Sequence, residues 1–130
     1  MVLASRISLF GLDVQRPTVR HYRDRAFATV ATKILGVPVY DTQCGAKLFR
    51  NTDALRDALS EPFHSRWSFD VELLGRLLRG RAEIAPVPVA EFVEVPLNEW
   101  HDAGGSKIST TSSIKAGLEL ALIARHLRRW

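Results

Sequence analysis

Asp41-Thr42-Gln43-Cys44-Gly45-Ala46-Lys47-Leu48-Phe49 crowds a carboxylate, an amide, a thiol, a glycine and a cation into one short connection, a density that folding alone rarely demands. Side chains of an extended segment alternate between faces, so Asp41 and Gln43 fall on one side. Gly45 permits either close approach of backbone to a ligand or a left-handed turn. The competing reading of the stretch is a β-turn with a capping aspartate. Cys44 has no histidine near it in sequence to activate it, and reads as a small buried residue rather than a nucleophile. Two further constellations follow: Arg66-Trp67-Ser68-Phe69-Asp70-Val71-Glu72-Leu73-Leu74 and Trp100-His101-Asp102-Ala103-Gly104-Gly105-Ser106-Lys107.

The surrounding chain bounds what these groups belong to. Its 130 residues suit one core that buries roughly two thirds of the unfolded surface. The apolar and charged fractions, 46% and 25%, are those of a globular protein and exclude collagen-like or disordered chains. One cysteine forms no intrachain disulfide and suggests a reducing compartment, with cytoplasm the default. Asp13, Arg16 and Pro17 interrupt the N-terminal apolar residues too early for a secretory signal, and no apolar run approaches the roughly 18 residues of a membrane span. The net charge of +4 is concentrated in Arg16, Arg20, Arg23 and Arg25 and in Arg125, Arg128 and Arg129, two patches that attract anions. Only Tyr22 and Phe27 accompany the early arginines, which is not a base-stacking platform, so nucleic acid is not the expected partner.

The spacing of apolar residues predicts a short, loosely alternating strand over Val2 to Leu9 that enters a loop at Gly11, a helix over 17–35 stopped by Gly36 and Pro38, and a short strand at Ala46 to Phe49. Asn51, Thr52 and Asp53 offer caps for a helix reaching about Leu59, and Ser68 for another whose Val71, Leu73, Leu74, Leu77 and Leu78 face the core before Gly80 ends it. Residues 84–97 suggest two short strands or an edge strand interrupted by Pro86 and Pro88. The stretch from Trp100 to Ser109 reads as a mobile glycine-bearing loop. Residues 113–130 read as a helix with one stripe of Ile114, Leu118, Ala121 and Leu122, widened by Leu120, Ile123, Ala124 and Leu127. Its basic end and Trp130 fit an interfacial helix or, equally, a core helix whose cations complement its dipole.

The three constellations, in order and spacing, resemble the C-terminal half of family 2 glycosyltransferases of the dolichyl-phosphate β-glucosyltransferase type. The resemblance starts at Ala4-Ser5-Arg6, where the family usually reads Gly-Ser-Arg, and runs to the C-terminus. It implies an α/β chain: the acceptor-side portion of a GT-A fold, helices packed on a small mixed sheet, over 1–112, followed by an amphipathic basic helix over 113–130. The family's Rossmann-like nucleotide-binding half carries an Asp-x-Asp metal motif, and this sequence contains none. Asp70 and Glu72 come nearest, but two positions apart on a helix they diverge by about 200°.

The implied parent reaction moves a hexose, expected to be glucose, from a nucleotide diphosphate sugar to a polyprenyl phosphate with inversion. By resemblance Asp41 is the active-site carboxylate. Arg6 and Arg20 hold the acceptor phosphate, Gln43, Gly45 and Lys47 shape that wall, and Trp67, Asp70 and Glu72 belong to the acceptor-site helix. Gly105, Ser106 and Lys107 form a loop over the donor pyrophosphate. Relatives place an arginine a few residues earlier, where His101 and Asp102 stand here. His21, His64 and His126 lack metal-ligand spacing and read as incidental. No cofactor is expected in this chain, and Mg or Mn is expected for the full-length parent. The chain alone is expected to be inactive and peripheral to a membrane on its cytoplasmic side, with self-association left open. The alternative is a stand-alone anion-binding or protein-interaction module derived from such an enzyme.

Overall fold

The computed structural model describes residues 1–7, 13–15, 18–101 and 110–130, with side chains at all of these except 13–15, 18–21 and 110–113. Among the described residues, five short strands and four α-helices follow one another as β1 (Val2–Ser5), β2 (Asp13–Gln15), α1 (Thr18–Leu35), β3 (Lys47–Leu48), α2 (Asp53–Ala58), α3 (Phe69–Arg79), β4 (Val93–Pro96), β5 (Glu99–His101) and α4 (Thr110–Leu127). The architecture is α/β, as expected, with a small mixed sheet.

Strand β1 lies at the centre of a three-stranded sheet, antiparallel to β3 and parallel to β4. The period-two alternation of a strand decides its faces: Leu3 and Ser5 are buried, while Val2 points outward. The parallel pairing continues one step beyond the strands, where the Leu97 amide donates to the Ser5 carbonyl at 2.9 Å. Strand β4 is an edge strand, which accommodates Pro96 at its end without breaking a ladder. A second, two-stranded sheet pairs β2 with β5 in parallel, Val14 opposite Trp100. Trp100 and His101 therefore belong to a strand rather than to the loop expected from Gly104 and Gly105; a parallel partner more than eighty residues distant supplies the hydrogen bonds that local sequence does not reveal.

Helices α1, α3 and α4 bury one shared core against β1, built from Leu3, Ala31, Leu35, Val71, Leu74, Leu120, Ile123 and Leu127. A smaller cluster of Ala58, Leu73 and Leu77 seats α2 on the other flank of α3. On α4 the core-facing stripe is Leu120, Ile123 and Leu127, whereas Ile114, Leu118 and Leu122 remain 55–64% exposed. Burial of the first stripe fixes the rotation of the helix, and the second, an i, i+4, i+8 series, then faces outward. Helix α1 ends at Gly36, whose φ of 76° is a left-handed stop. Gly80 ends α3 with φ 62°, and a Cβ there would lie 2.3 Å from the Ile84 carbonyl oxygen, so no other residue fits. Thr52 caps α2 as predicted, accepting from the Leu55 amide at 3.3 Å. Ser68 occupies the N-cap position of α3 but makes no capping bond; its hydroxyl turns instead to Glu119 on α4 at 3.3 Å. Among the described residues no helix is long and apolar enough to cross a membrane.

Candidate functional site

The C-terminal end of β1 delivers Arg6 directly onto Asp41. The Arg6 amide donates to Oδ2 at 3.0 Å, Nε to the same oxygen at 2.6 Å, and Nη2 to Oδ1 at 2.8 Å. This is the two-pronged guanidinium–carboxylate geometry, reinforced by one backbone bond. Both side chains are largely withdrawn from water, at 9% and 11% exposure. The hydrogen bond with Asp41 raises the Arg6 pKa above its ordinary value, outweighing the opposite effect of burial. The guanidinium also lies 5.4 Å from the centre of the Trp100 ring on β5, within the range of cation–π attraction.

Asp41 is itself held from behind. Glu94 on β4 accepts the Tyr40 amide at 3.0 Å and the Asp41 amide at 2.7 Å, tying the connection after α1 to the sheet. The sequence reading missed Glu94, which looks like a solvated position on a valine-rich strand. Arg6 and Asp41 border a cleft of about 250 Å³, completed by Asp24, Arg25, Phe27, Tyr40 and Gln43 among others. Arg25 lies 5.6 Å from the Tyr40 ring.

A second ion pair stands beside the first. Lys47 of β3 approaches Asp70 Oδ1 at 3.0 Å and donates to the Cys44 carbonyl. Burial pushes the Asp70 carboxyl up, against the pull of Lys47, and Asp41 adds to the rise as a nearby like charge. Asp41, Lys47 and Asp70 are thus brought into one electrostatic neighbourhood. Cys44 is fully buried, as its surroundings in sequence suggested. Gly45 does not have a left-handed backbone, so the turn reading fails, and a Cβ there would meet no atom of the described residues. Trp67 is 59% exposed and packs in no core. The Arg20 side chain and residues Gly105, Ser106 and Lys107 lie outside the described residues.

Glu72 goes elsewhere. The helical divergence from Asp70 turns it to the opposite side of α3, where it is buried completely and accepts from Arg76 Nη2 at 2.7 Å, His64 Nδ1 at 2.9 Å and the His64 amide at 2.9 Å. Burial raises the Glu72 carboxyl, but these bonds outweigh it and the net displacement is downward. His126 of α4 lies against His64, the rings tilted by 39° with centres 4.1 Å apart, so the two histidines read as incidental are neighbours. Arg76 is enclosed as well: it donates to the carbonyls of Ala58, Glu61 and Pro62 at 2.8, 2.8 and 2.9 Å. The Phe63 and Trp130 rings lie 4.7 and 4.5 Å from it. Trp130, whose place at the basic helix end fitted an interfacial or a core helix equally, lies against Arg76 and, at 4.1 Å, against Arg81.

Over 130 residues the chain is 35% identical to a dolichyl-phosphate beta-glucosyltransferase of Trichomonas vaginalis, covering 98% of this chain and 35% of that protein. The same enzyme of Saccharomyces cerevisiae is 32% identical over 128 residues, 95% of this chain and 35% of the relative. The human one is 37% identical over 78 residues, 54% and 18% respectively. This chain matches the C-terminal part of the dolichyl-phosphate beta-glucosyltransferases. It spans about a third of the length of the first two relatives. No protein-family model matches it, and no solved structure matches it. In this glucosyltransferase-like chain, then, the cleft at Arg6 and Asp41 is assembled by the strand and connection that carry the first resemblance motif.

Proposed function

We propose that this chain is the acceptor-side part of a family 2, GT-A-type glycosyltransferase that moves a hexose, glucose by analogy with its relatives, from a nucleotide diphosphate sugar to a polyprenyl phosphate. The observation that carries the reading is the Arg6–Asp41 fork at the end of β1, bordering a cleft in a chain 35% identical to a protein named for dolichyl phosphate.

The chemistry follows from the acceptor. A phosphate monoester has its second pKa near 6, so at neutral pH one of its oxygens attacks the anomeric carbon without surrendering a proton. The bond from that carbon to the nucleoside diphosphate breaks, and the diphosphate leaves with the electron pair. The acceptor side then has to position a dianion, a task for oriented cations rather than a strong base. Arg6, aimed by Asp41, supplies the fixed guanidinium, and Arg20 the second cation. Asp41 acts by orientation, and the pair Lys47–Asp70 sets the charge of the adjoining wall. The carboxylates that the resemblance names do not fit a Mg or Mn site between them: Asp41 and Asp70 are each engaged by a cation, and Glu72 faces away. A divalent ion for the donor diphosphate falls to the part of the relatives that this chain does not span, and the chain alone is inactive. A peripheral position on the cytoplasmic face of a membrane is supported by the outward stripe of Ile114, Leu118 and Leu122 on a helix with a basic end.

The test is calorimetry on the chain itself. A short-chain isoprenyl monophosphate should bind, and a nucleotide diphosphate sugar with Mg should not. Binding of the sugar nucleotide but not of the phosphate would overturn the assignment of sides. Binding of inorganic phosphate as tight as that of the isoprenyl ester would favour a general anion-binding module.

A further inference from the structure

From the placement of His64, Glu72 and His126 we infer a second, independent site: a transition-metal site of the Zn²⁺ class that fastens the C-terminal helix to α3 and the loop before it. The three residues come from three elements, the 60–68 loop, α3 and α4, so their meeting is a product of the fold. One ligand atom from each, two imidazole nitrogens and a carboxylate oxygen, lies within 4.8 Å of the others. In a tetrahedral site with bonds near 2.0–2.1 Å, ligand atoms stand about 3.3 Å apart. The Glu72 distances to His64 Nδ1 and His126 Nε2, 2.9 and 3.7 Å, bracket that value.

Several features mark the cluster as more than an acidic patch. Glu72 is wholly buried, and His126 Nε2 is a buried nitrogen with no hydrogen-bond partner among the described residues. A metal would give that nitrogen the partner it lacks and would take the place of the proton between His64 Nδ1 and Glu72. The carboxylate is already fixed by Arg76 on Oε1 and by the His64 amide on Oε2, the outer bonds that hold metal-binding carboxylates in place. The Arg76 charge opposes a cation and lowers the expected affinity. Two nitrogen donors select zinc-like ions over Mg²⁺. His64 is about half exposed, and leaves a route for the ion and for a water as fourth ligand. This site does not rest on the glycosyltransferase reading: it lies on the far side of α3 from Asp41.

The experiment uses metal-free chain and Zn²⁺ alone. Calorimetry should show one ion per chain, and unfolding temperature should rise with Zn²⁺ concentration because binding favours the folded state. His64→Ala and His126→Ala should each weaken binding about tenfold or more, while His101→Ala leaves it unchanged and Mg²⁺ gives no signal. With Co²⁺ the visible spectrum should have the intensity of tetrahedral coordination. His64 is at the surface, so its alanine variant keeps the fold, checked by circular dichroism, and decides the matter even where His126→Ala does not fold. Absence of saturable Zn²⁺ binding, or wild-type affinity in folded His64→Ala, would overturn the site.

Discussion

Replacing Arg76 with methionine probes a charge enclosed on every side. The guanidinium is inaccessible to water and makes four hydrogen bonds, three to carbonyls and one to a carboxylate that is also fully buried. Breaking a buried ion pair from one side costs about 3–5 kcal/mol because the remaining charge stays buried. Glu72 keeps its two bonds from His64, which places the loss toward the lower end. The Ala58 carbonyl, in a buried setting, loses its donor and adds about 1 kcal/mol. The expected total of about 4 kcal/mol is a large share of the roughly 5–15 kcal/mol by which domains of this kind are stable. Urea unfolding of Arg76→Met, Glu72→Gln and the double variant, in chelator so that metal plays no part, measures it. The double variant should be more stable than the sum of the two single losses implies, by about 1–3 kcal/mol. A loss below about 1 kcal/mol for Arg76→Met at unchanged urea slope, or strict additivity in the cycle, would refute the reasoning.

Three further outcomes are expected. Asp70 has its carboxyl raised in the fold, chiefly by burial, so its contribution to stability is full below the unfolded pKa, about 3.9, and is lost as pH rises through the folded value. Asp70→Asn should therefore be at least as stable as wild type at neutral pH, with the advantage vanishing in acid; urea midpoints across pH report it, and a less stable variant at neutral pH would speak against the burial argument. Gly80→Ala should cost about 2 kcal/mol or more in thermal unfolding, from the left-handed backbone and the contact with the Ile84 carbonyl. Glu94→Gln exchanges a charged acceptor for a neutral one behind Asp41, and amide exchange at Tyr40 and Asp41 should speed up several-fold, about 1 kcal/mol, with exchange in α3 unaffected.

What sequence alone could and could not convey follows from the range of the forces involved. Helices α1 to α4 were legible to within a few residues because caps, stops and apolar spacing are local: Thr52, Gly36 and Gly80 each act on their immediate neighbours. Strand β5 was read as a loop because its hydrogen bonds come from β2, and its own residues sit beside two glycines. The stripe of α4 that meets the core was not identifiable, since two apolar stripes compete on that helix and only packing against Leu3 and Val71 chooses. At the site, the divergence of Asp70 and Glu72 was a geometric certainty of the helix, yet which of them meets Asp41 depended on the position of Lys47. His64 and His126 are separated by 62 positions, and nothing local announces that α4 returns to the loop before α3. Glu94 escaped because a charged residue on a strand ordinarily faces water.

The central claim is that Arg6, aimed by Asp41, receives the phosphate of a polyprenyl-type acceptor. The most direct measurement is the dissociation constant of a short-chain isoprenyl monophosphate, set against the matching isoprenol, for wild type and Arg6→Ala. Loss of a charge-assisted hydrogen bond is worth about 1.5–3 kcal/mol. The monophosphate should bind the wild-type chain, the alcohol should not, and Arg6→Ala should bind the monophosphate at least about tenfold more weakly. Equal binding of phosphate and alcohol, or undiminished affinity in a folded Arg6→Ala chain, would contradict the account.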